Sequence, residues 1–459
     1  MFEKIMFKKV ELWVVGLIVV VMLGFAYVLG WAIHHQLMGG KRLGPVGAVL
    51  VDLVELPHNI LAGLRGDVLR HPLAAIEQRF EGQAGFAFAP NQTGEPARPY
   101  WLLSRYDGDL GRGVVELVDL DAGATVHRWM MDAERFFADQ MPLQGFSGFG
   151  TYPITNDNFR PVHPWLYEDG SMVLLHHSTP LVRLNLCADA EWVEANHIYH
   201  HAIEADSDGN IWTSSYMPQT VDDVMAGPFL YDAVIKVSPM GQVLYKKSVM
   251  DMLESAGLEG LLYGIGIGKS ADPMHLNDVQ PVLSDGPYWQ KGDLFLSLRN
   301  LSMIVLYRPS EDRVIWHKIG PWVGQHDVDI LDDHRISVFS NETIEDGSGL
   351  SVREGRNRVI VYDFATQTTS GALDDALAAN EVRTAQEGLS DILPDGSVIV
   401  EETEKGRALH FGPDGSVRWS YVNRAADGTV YQLGWSRPVS RTLGDKVVAS
   451  LAATTCPAQ

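Results

Sequence analysis

Two histidines in this chain stand at the same distance from a turn: His201 lies seven residues before Asp208, and His326 lies seven before Asp333. A third, His275, sits in Asp272-Pro-Met-His275-Leu-Asn277. In an extended run, residues two apart share a side, so His275 and Asn277 point the same way. The following apolar run ends at Arg299-Asn300. A guanidinium closing a buried strand is costly unless it meets an anion. Neutral imidazole is a competent nucleophile near neutral pH and, once protonated, a donor. Arginine holds two oxygens of an anion in a fixed fork. The set therefore reads as a site for an anionic partner. Three histidines could instead ligate zinc or copper, but Arg299 argues against a cation beside them. No metal and no nucleotide cofactor is expected. A channel histidine can also be an ordinary satisfied polar group. His34-His35, His163 and His176-His177 read as surface or structural residues, and Asp107, Asp109, Asp119 and Asp121 as solvated turn residues.

Those positions converge only if the elements carrying them repeat. From Tyr100 onward, short β-type runs alternate with Asp-Gly or similar turns: Glu168-Asp169-Gly170, Ser207-Asp208-Gly209, Asp332-Asp333-His334 and Pro394-Asp395-Gly396 each precede a strand-like run. This is a hairpin signal. A second strand pair follows most of them, as at Ser302–Tyr307 with Arg313–Trp316. Units of four strands starting near 100, 160, 200, 275, 326 and 386 predict an all-β, six-bladed β-propeller, with seven blades as the alternative count. Equivalent positions on the innermost strands then meet at the axis. The last apolar run, Lys446–Leu451, is expected to be a strand that completes the first blade. Segments 216–230 and 252–270, the latter with Gly264-Ile-Gly266-Ile-Gly268, are expected as loops over the channel mouth.

Taken in order, His200-His201, Asp272-x-x-His275-x-Asn277, Ser297-Leu298-Arg299-Asn300, Trp316 and Gln325-His326-Asp327 resemble the bacterial aryl sulfotransferase family. Asn341, Arg358–Asp363 and Gly434-Trp435-Ser436-Arg437 add to the resemblance, which covers about residues 160 to 440. It implies a six-bladed propeller and PAPS-independent transfer of a sulfuryl group from an aryl sulfate to a phenol through a sulfohistidine, with ping-pong kinetics. It implies His326 as nucleophile, His201, His275 and Arg299 around the sulfate, and His200, Asn277 and Asn300 as substrate-binding residues. The family commonly carries His-His-Asp where this chain has His200-His201-Ala202. A non-catalytic propeller serving a membrane complex is the competing reading. A lactonase or quinone-dependent dehydrogenase ranks last, since neither a calcium-carboxylate nor a quinone pattern is seen.

The chain has 459 residues and a formal net charge of −22. So acidic a surface repels nucleic acid. Residues Leu12 to Ile33 carry no charge, and a helix of that length reaches about 33 Å at roughly 1.5 Å per residue, enough to cross a bilayer. Trp13, Tyr27 and Trp31 lie towards its ends. Residues 1–11 are then expected as a cytoplasmic tail, 12–33 as an uncleaved transmembrane helix, and 34–98 as a helical segment (Gly44 to about Arg79) with a linker (Gly82 to Arg98). Residues 99–459 form the propeller on the periplasmic side of a bacterial inner membrane. A homodimer or a membrane-protein partner is left open. Cys187 and Cys456 are the two cysteines. They form one bridge if the domain is periplasmic and the fold brings them together.

Overall fold

The computed structural model describes residues 11–37, 71–75, 79–90, 98–138, 154–217, 230–263, 272–345 and 350–456. Two units divide the chain, Met1–Pro72 and Leu73–Gln459. In the first, Leu12–Leu37 is one helix. Its stretch Trp13–Ala32 has a mean hydropathy of 2.5 and is long and apolar enough to cross a membrane. Its large apolar side chains, Trp13, Phe25 and Tyr27 among them, are exposed. Most of the expected helical segment, residues 44–70 and 76–78, lies outside the described residues.

The second unit is a propeller-like ring of antiparallel sheets. One sheet joins β2 (Tyr100–Asp107), β3 (Arg112–Asp119) and β4 (Ala124–Met130) to the late strand β26 (Arg437–Val439). A seven-stranded sheet runs through β5 (Val162–Leu166), β6 (Met172–Leu175), β7 (Thr179–Leu184), β8 (Ala190–Ala205), β9 (Ile211–Met217), β10 (Tyr231–Val237) and β11 (Val243–Ser248). Next come β12 (Leu276–Pro281), β13 (Leu294–Leu298), β14 (Met303–Arg308) and β15 (Arg313–Ile319). They are followed by β16 (Asp327–Ile330) and β17 (Arg335–Ser340), with β18 (Thr343–Glu345) and β19 (Leu350–Val352) as a side hairpin, then β20 (Arg358–Asp363) and β21 (Thr368–Gly371). The last sheet holds β22 (Leu389–Ile392), β23 (Val398–Glu402), β24 (Arg407–Phe411) and β25 (Val417–Val422), with β1 (Gly85–Phe88) on its outer edge.

The turns explain the repeat. In the turns after Tyr167, Leu393 and Gly412, an aspartate oxygen accepts the N–H two residues on, from Ser171, Ser397 and Ser416. Asp206 does the same for Asp208. The glycine that follows, at φ +76 to +80, takes a conformation open to a residue without Cβ. Between sheets, alternating apolar residues interlock. Val115, Leu117 and Trp129 pack on Met172 and Leu174, and Leu294 and Val305 on Trp212 and Val234. Phe295 and Ile304 pack on Val338 and Ile360, and Phe339 on Val400 and Leu409. The last sheet returns to the first through Trp101 and Leu103 against Ile399 and Trp419.

Four expectations are corrected here. Lys446–Leu451 is not a closing strand. It lies in a C-terminal helix, Arg441–Ala453, capped by the Ser440 side chain on Leu443 N–H. Leu443, Val447 and Leu451, spaced by four, form the helical face that packs on the first sheet. Gly444 lets that helix approach the Tyr100 ring, which any Cβ would strike. The closing strand is β26, with Tyr100 opposite Val439 and Leu102 opposite Arg437. Second, the Gly82–Arg98 linker contains β1, whose Phe86 and Phe88 pack beside Trp419 and Tyr421. Leu73–Ala75 also joins this unit, through Ala75 N–H to Val430 O. Third, the segment 252–270 is helical at Val249–Ser255 and Glu259–Tyr263. Residues 218–229 and 264–271 lie outside the described residues. Asp119 and Asp121 are not free turn residues but hold Arg441, and Asp107 holds Arg105.

Cys187 and Cys456 are bonded across a sequence separation of 269 residues. The bond ties the end of the C-terminal helix to the turn after β7. Loops of this size lose on the order of 2–5 kcal/mol when opened. Replacing both cysteines by serine is expected to lower the midpoint of thermal unfolding without changing the far-UV spectrum. Dithiothreitol should lower the wild type to the same value and leave the variant where it is.

Candidate active site

His201 and His275 each open an innermost strand segment at a register irregularity. The β8–β9 register shifts between His200 and Ile203, and the β12–β13 register between Leu276 and Asp278. Both histidines have left-handed backbone, φ +61 and +54, as do Glu387 (+56) and Trp435 (+60) at comparable places on the neighbouring inner strands. Such conformations cost on the order of 1–3 kcal/mol at a residue with a side chain, and they gather at functional sites. Here they turn side chains inward at the top of the ring.

The result is a single cluster. The His201 and His275 rings are 4.9 Å apart, and the His326 ring is 6.2 Å from the first and 6.4 Å from the second. One ring nitrogen of each lies within 4.8 Å of the others. Each Nδ1 is held from behind. His275 Nδ1 bonds Asp272 Oδ2, His201 Nδ1 lies 2.7 Å from His200 Nδ1, and His326 Nδ1 lies 2.7 Å from Asn341 Oδ1. Asn341 donates its amide to Thr384 O and Glu387 O, so its oxygen faces His326 and accepts the Nδ1 proton. His326 Nε2 is then the lone-pair nitrogen, and it accepts the Glu387 N–H at 3.1 Å.

Electrostatics disfavour a proton on His326 and His201. Burial, then Arg299, then His275 hold His326 well below the usual imidazole range. Burial, then His177, His275 and the other rings do the same to His201. Burial alone would push the Asp272 carboxyl up, but the bond from His275 and its charge outweigh this and hold it low. Arg299 begins the short turn after β13 and donates to Asn300 Oδ1 at 2.9 Å, while Asn300 Nδ2 donates to Asp272 O. Three imidazoles could ligate a metal, but the guanidinium that depresses His326 disfavours a cation there.

His201, His275, His326 and Arg299 are thus brought together, with Asn300 orienting the arginine. The side chains of His200 and Asn277, expected to bind substrate, are buried behind the cluster. His200 stacks on Tyr216 at 4.0 Å, and Asn277 Nδ2 donates to Gln325 O, bracing the residue before His326. His177, expected as a surface or structural residue, adjoins the cluster: its ring is 4.5 Å from His201 and its Nε2 lies 3.1 Å from Glu387 Oε1. Arg160, buried, grips the same oxygen at 2.7 Å. Trp435 lies under His201 and His326 at 5.9 and 6.1 Å. A signal for part of this existed in the chain: His177, Arg299 and Asn341 each follow the second strand of their sheets, as the three histidines precede or begin the first.

Farther along the inner strands lies a cavity of about 170 Å³ lined by His163, Glu204, Asp327, Asp329, Asp391 and Arg437 among others. His163 is therefore buried at the axis and not on the surface. Arg437 pairs with Glu204 at 3.2 Å. Burial raises the remaining carboxyls: Asp327 up to about 7, and Asp329 and Asp391 well above the usual range, the latter two also repelled by Asp327.

The sequence model described as Arylsulfotransferase (ASST) matches residues 170–424. The chain belongs to that family. The matched stretch carries His177, His201, His275, Arg299, His326 and Glu387 and ends before β26. No curated protein matches. Solved structures similar to this chain include a protein of unknown function from Bacteroides caccae (11% identity, 74% of this chain and 99% of that one, TM-score 0.45). Others are TolB from Acinetobacter baumannii (12%, 75% and 67%, 0.41) and virginiamycin B lyase from Staphylococcus aureus (9%, 57% and 70%, 0.33).

A carboxyl whose folded pKa is raised keeps its proton while the unfolded chain loses it. Its presence therefore destabilises the fold progressively as pH rises from the unfolded value through the folded one. Asp391→Asn is free of this penalty. It is expected to raise Tm, on the order of 2 °C or more, at about pH 8 and to leave it nearly unchanged at about pH 4, the reference state of an unfolded carboxyl being near 3.9. Equal shifts at both pH values would contradict a protonated Asp391.

Proposed function

We propose that this member of the family transfers a sulfuryl group from an aryl sulfate to a phenolic acceptor through a sulfohistidine at His326. The observation that carries the reading is the lone-pair state of His326 Nε2, set by Asn341, in a cluster with two more histidines and Arg299. The arginine fork holds two sulfuryl oxygens. Nε2 attacks sulfur, the S–O bond to the aryl group breaks, and its electron pair goes to the phenolate oxygen. As the S–N bond forms, the Glu387 N–H loses its acceptor and a sulfuryl oxygen replaces it. That oxygen gains a fixed backbone donor at the moment charge redistributes. A phenol then attacks sulfur, gives up its proton to a neighbouring imidazole, and frees His326. Neither step needs a metal or a nucleotide.

Six blades support this geometry. The seven-stranded sheet divides at β8, whose residues 190–194 pair with β7 and whose residues 198–205 pair mostly with β9. Counted so, with β1 set apart as an added edge strand, the sheets are consistent with six units of four strands. The N-terminal helix supports attachment to a membrane, and the Cys187–Cys456 bond supports an oxidising compartment such as the periplasm.

The test is 4-nitrophenolate release from 4-nitrophenyl sulfate by the purified chain, with and without an added phenol. Release should require the acceptor beyond one turnover. His326→Ala is expected to lose at least about 10³-fold, in line with removal of a nucleophile, and Arg299→Lys on the order of 10- to 100-fold, since a point charge cannot make the fork. Release that survives His326→Ala removes the sulfohistidine. No release across a panel of donors and acceptors by a folded protein favours an interaction subunit instead.

A further inference from the structure

We infer that Asp232 and His200 form a buried relay that fixes His201 with its Nε2 lone pair facing the site, and that His201 is the imidazole exchanging the proton with the acceptor and leaving phenols. The inference rests on the sulfuryl-transfer reading and assigns the base that reading needs. Asp232, on β10, is fully buried, and its Oδ2 accepts the Leu276 N–H at 3.0 Å. Its Oδ1 lies 3.3 Å from His200 Nε2. A nitrogen lone pair facing a buried carboxylate oxygen at that distance would be repelled, so His200 carries its proton on Nε2. His200 Nδ1 is then an acceptor, and the partner 2.7 Å away, His201 Nδ1, must donate. The Ser214 hydroxyl lies within reach of two acceptors, the His200 carbonyl oxygen and His200 Nδ1 at 3.2 Å, and Tyr216 fixes the ring by stacking. The lone pair of His201 is left on Nε2.

His275 is the rival. The Asp272 carboxyl that its Nδ1 bonds also lies in the field of Arg299 and is shared between the two. Asp232 faces His200 Nε2 at 3.3 Å. The groups facing His201 are His177, His200, His275 and His326, with Glu387 behind His177. The proton balance closes over two half-reactions. The phenol that attacks the sulfohistidine gives its proton to His201 Nε2. The next donor brings a negative sulfuryl group that favours the protonated ring, and its departing phenolate takes that proton away.

Asp232→Asn removes the charge and keeps the shape. It should lower kcat on the order of 10- to 100-fold with phenyl sulfate as donor, with KM little changed. The loss should be several-fold smaller with 4-nitrophenyl sulfate, whose phenolate leaves without help. Its pH profile for a weakly acidic acceptor should move upward. If the Asn variant does not fold, His200→Gln carries the same expectation. ¹⁵N NMR of histidine-labelled full-length protein, assigned through His201→Gln, reads the tautomer without turnover. The expected result is an Nδ1–H tautomer at His201 in the wild type. An equal loss for every donor with an unshifted pH profile, or an Nε2–H tautomer in an active wild type, overturns the relay alone. No turnover by a wild type that shows the expected tautomer overturns the sulfuryl-transfer reading, and the relay's proton role with it.

Discussion

The ring depends on one short pairing, three residues of β26 against three of β2. Apart from β1 on the outer edge of β25 and single bridges such as Arg105 with Leu433, the other strand pairings join near neighbours in sequence. This one joins residue 100 to residue 439 and brings the last strand onto the first sheet. Gly434 sits at the seam, where any Cβ would collide with the Pro161 carbonyl, and Trp435 follows it as the floor of the histidine cluster. Closure and site are therefore built from the same few residues. A change that loosens the seam reaches the chemistry through Trp435 before it reaches any histidine.

Buried histidines carry a cost that the structure meets from around the cluster. Burial and neighbouring groups hold His201 and His326 below the usual imidazole range, and each of the three rings has its own partner: Asn341 for His326, His200 for His201 and Asp272 for His275. Negative charge is held one step farther out, at Glu387 between Arg160 and His177 and at Asp232 beside His200. A sulfate monoester entering such a site meets one fixed positive charge and several neutral donors and acceptors, so its own charge is what polarises the rings.

Much of this was legible in the chain. The Asp-Gly turns located the hairpins because the turn chemistry is local, an aspartate oxygen and a glycine with positive φ. Counting from those turns aligned His201 with His326, because equivalent places in a repeat meet at its axis. Partners fixed by long-range contacts were not legible. His177 and Glu387 are separated by more than two hundred residues, and no local pattern joins them. The C-terminal helix was misread because a six-residue apolar run fits a strand or a helix, and the deciding contact, Gly444 against Tyr100, lies at the other end of the chain. Phe86 and Phe88 alternate as a strand does, but Gly, Pro and Asn on either side concealed the period.

The seam also orders events in time. A polypeptide leaves the ribosome, and any export channel, from its N-terminus, so β2 is present long before β26. Throughout that interval the first sheet has an open edge at Tyr100–Leu102, and the cluster has no floor. The bond between Cys187 and Cys456 can form only after the final residues have emerged. A chain that ends early, by truncation or proteolysis, keeps nearly every strand and all three histidines and yet never becomes a ring.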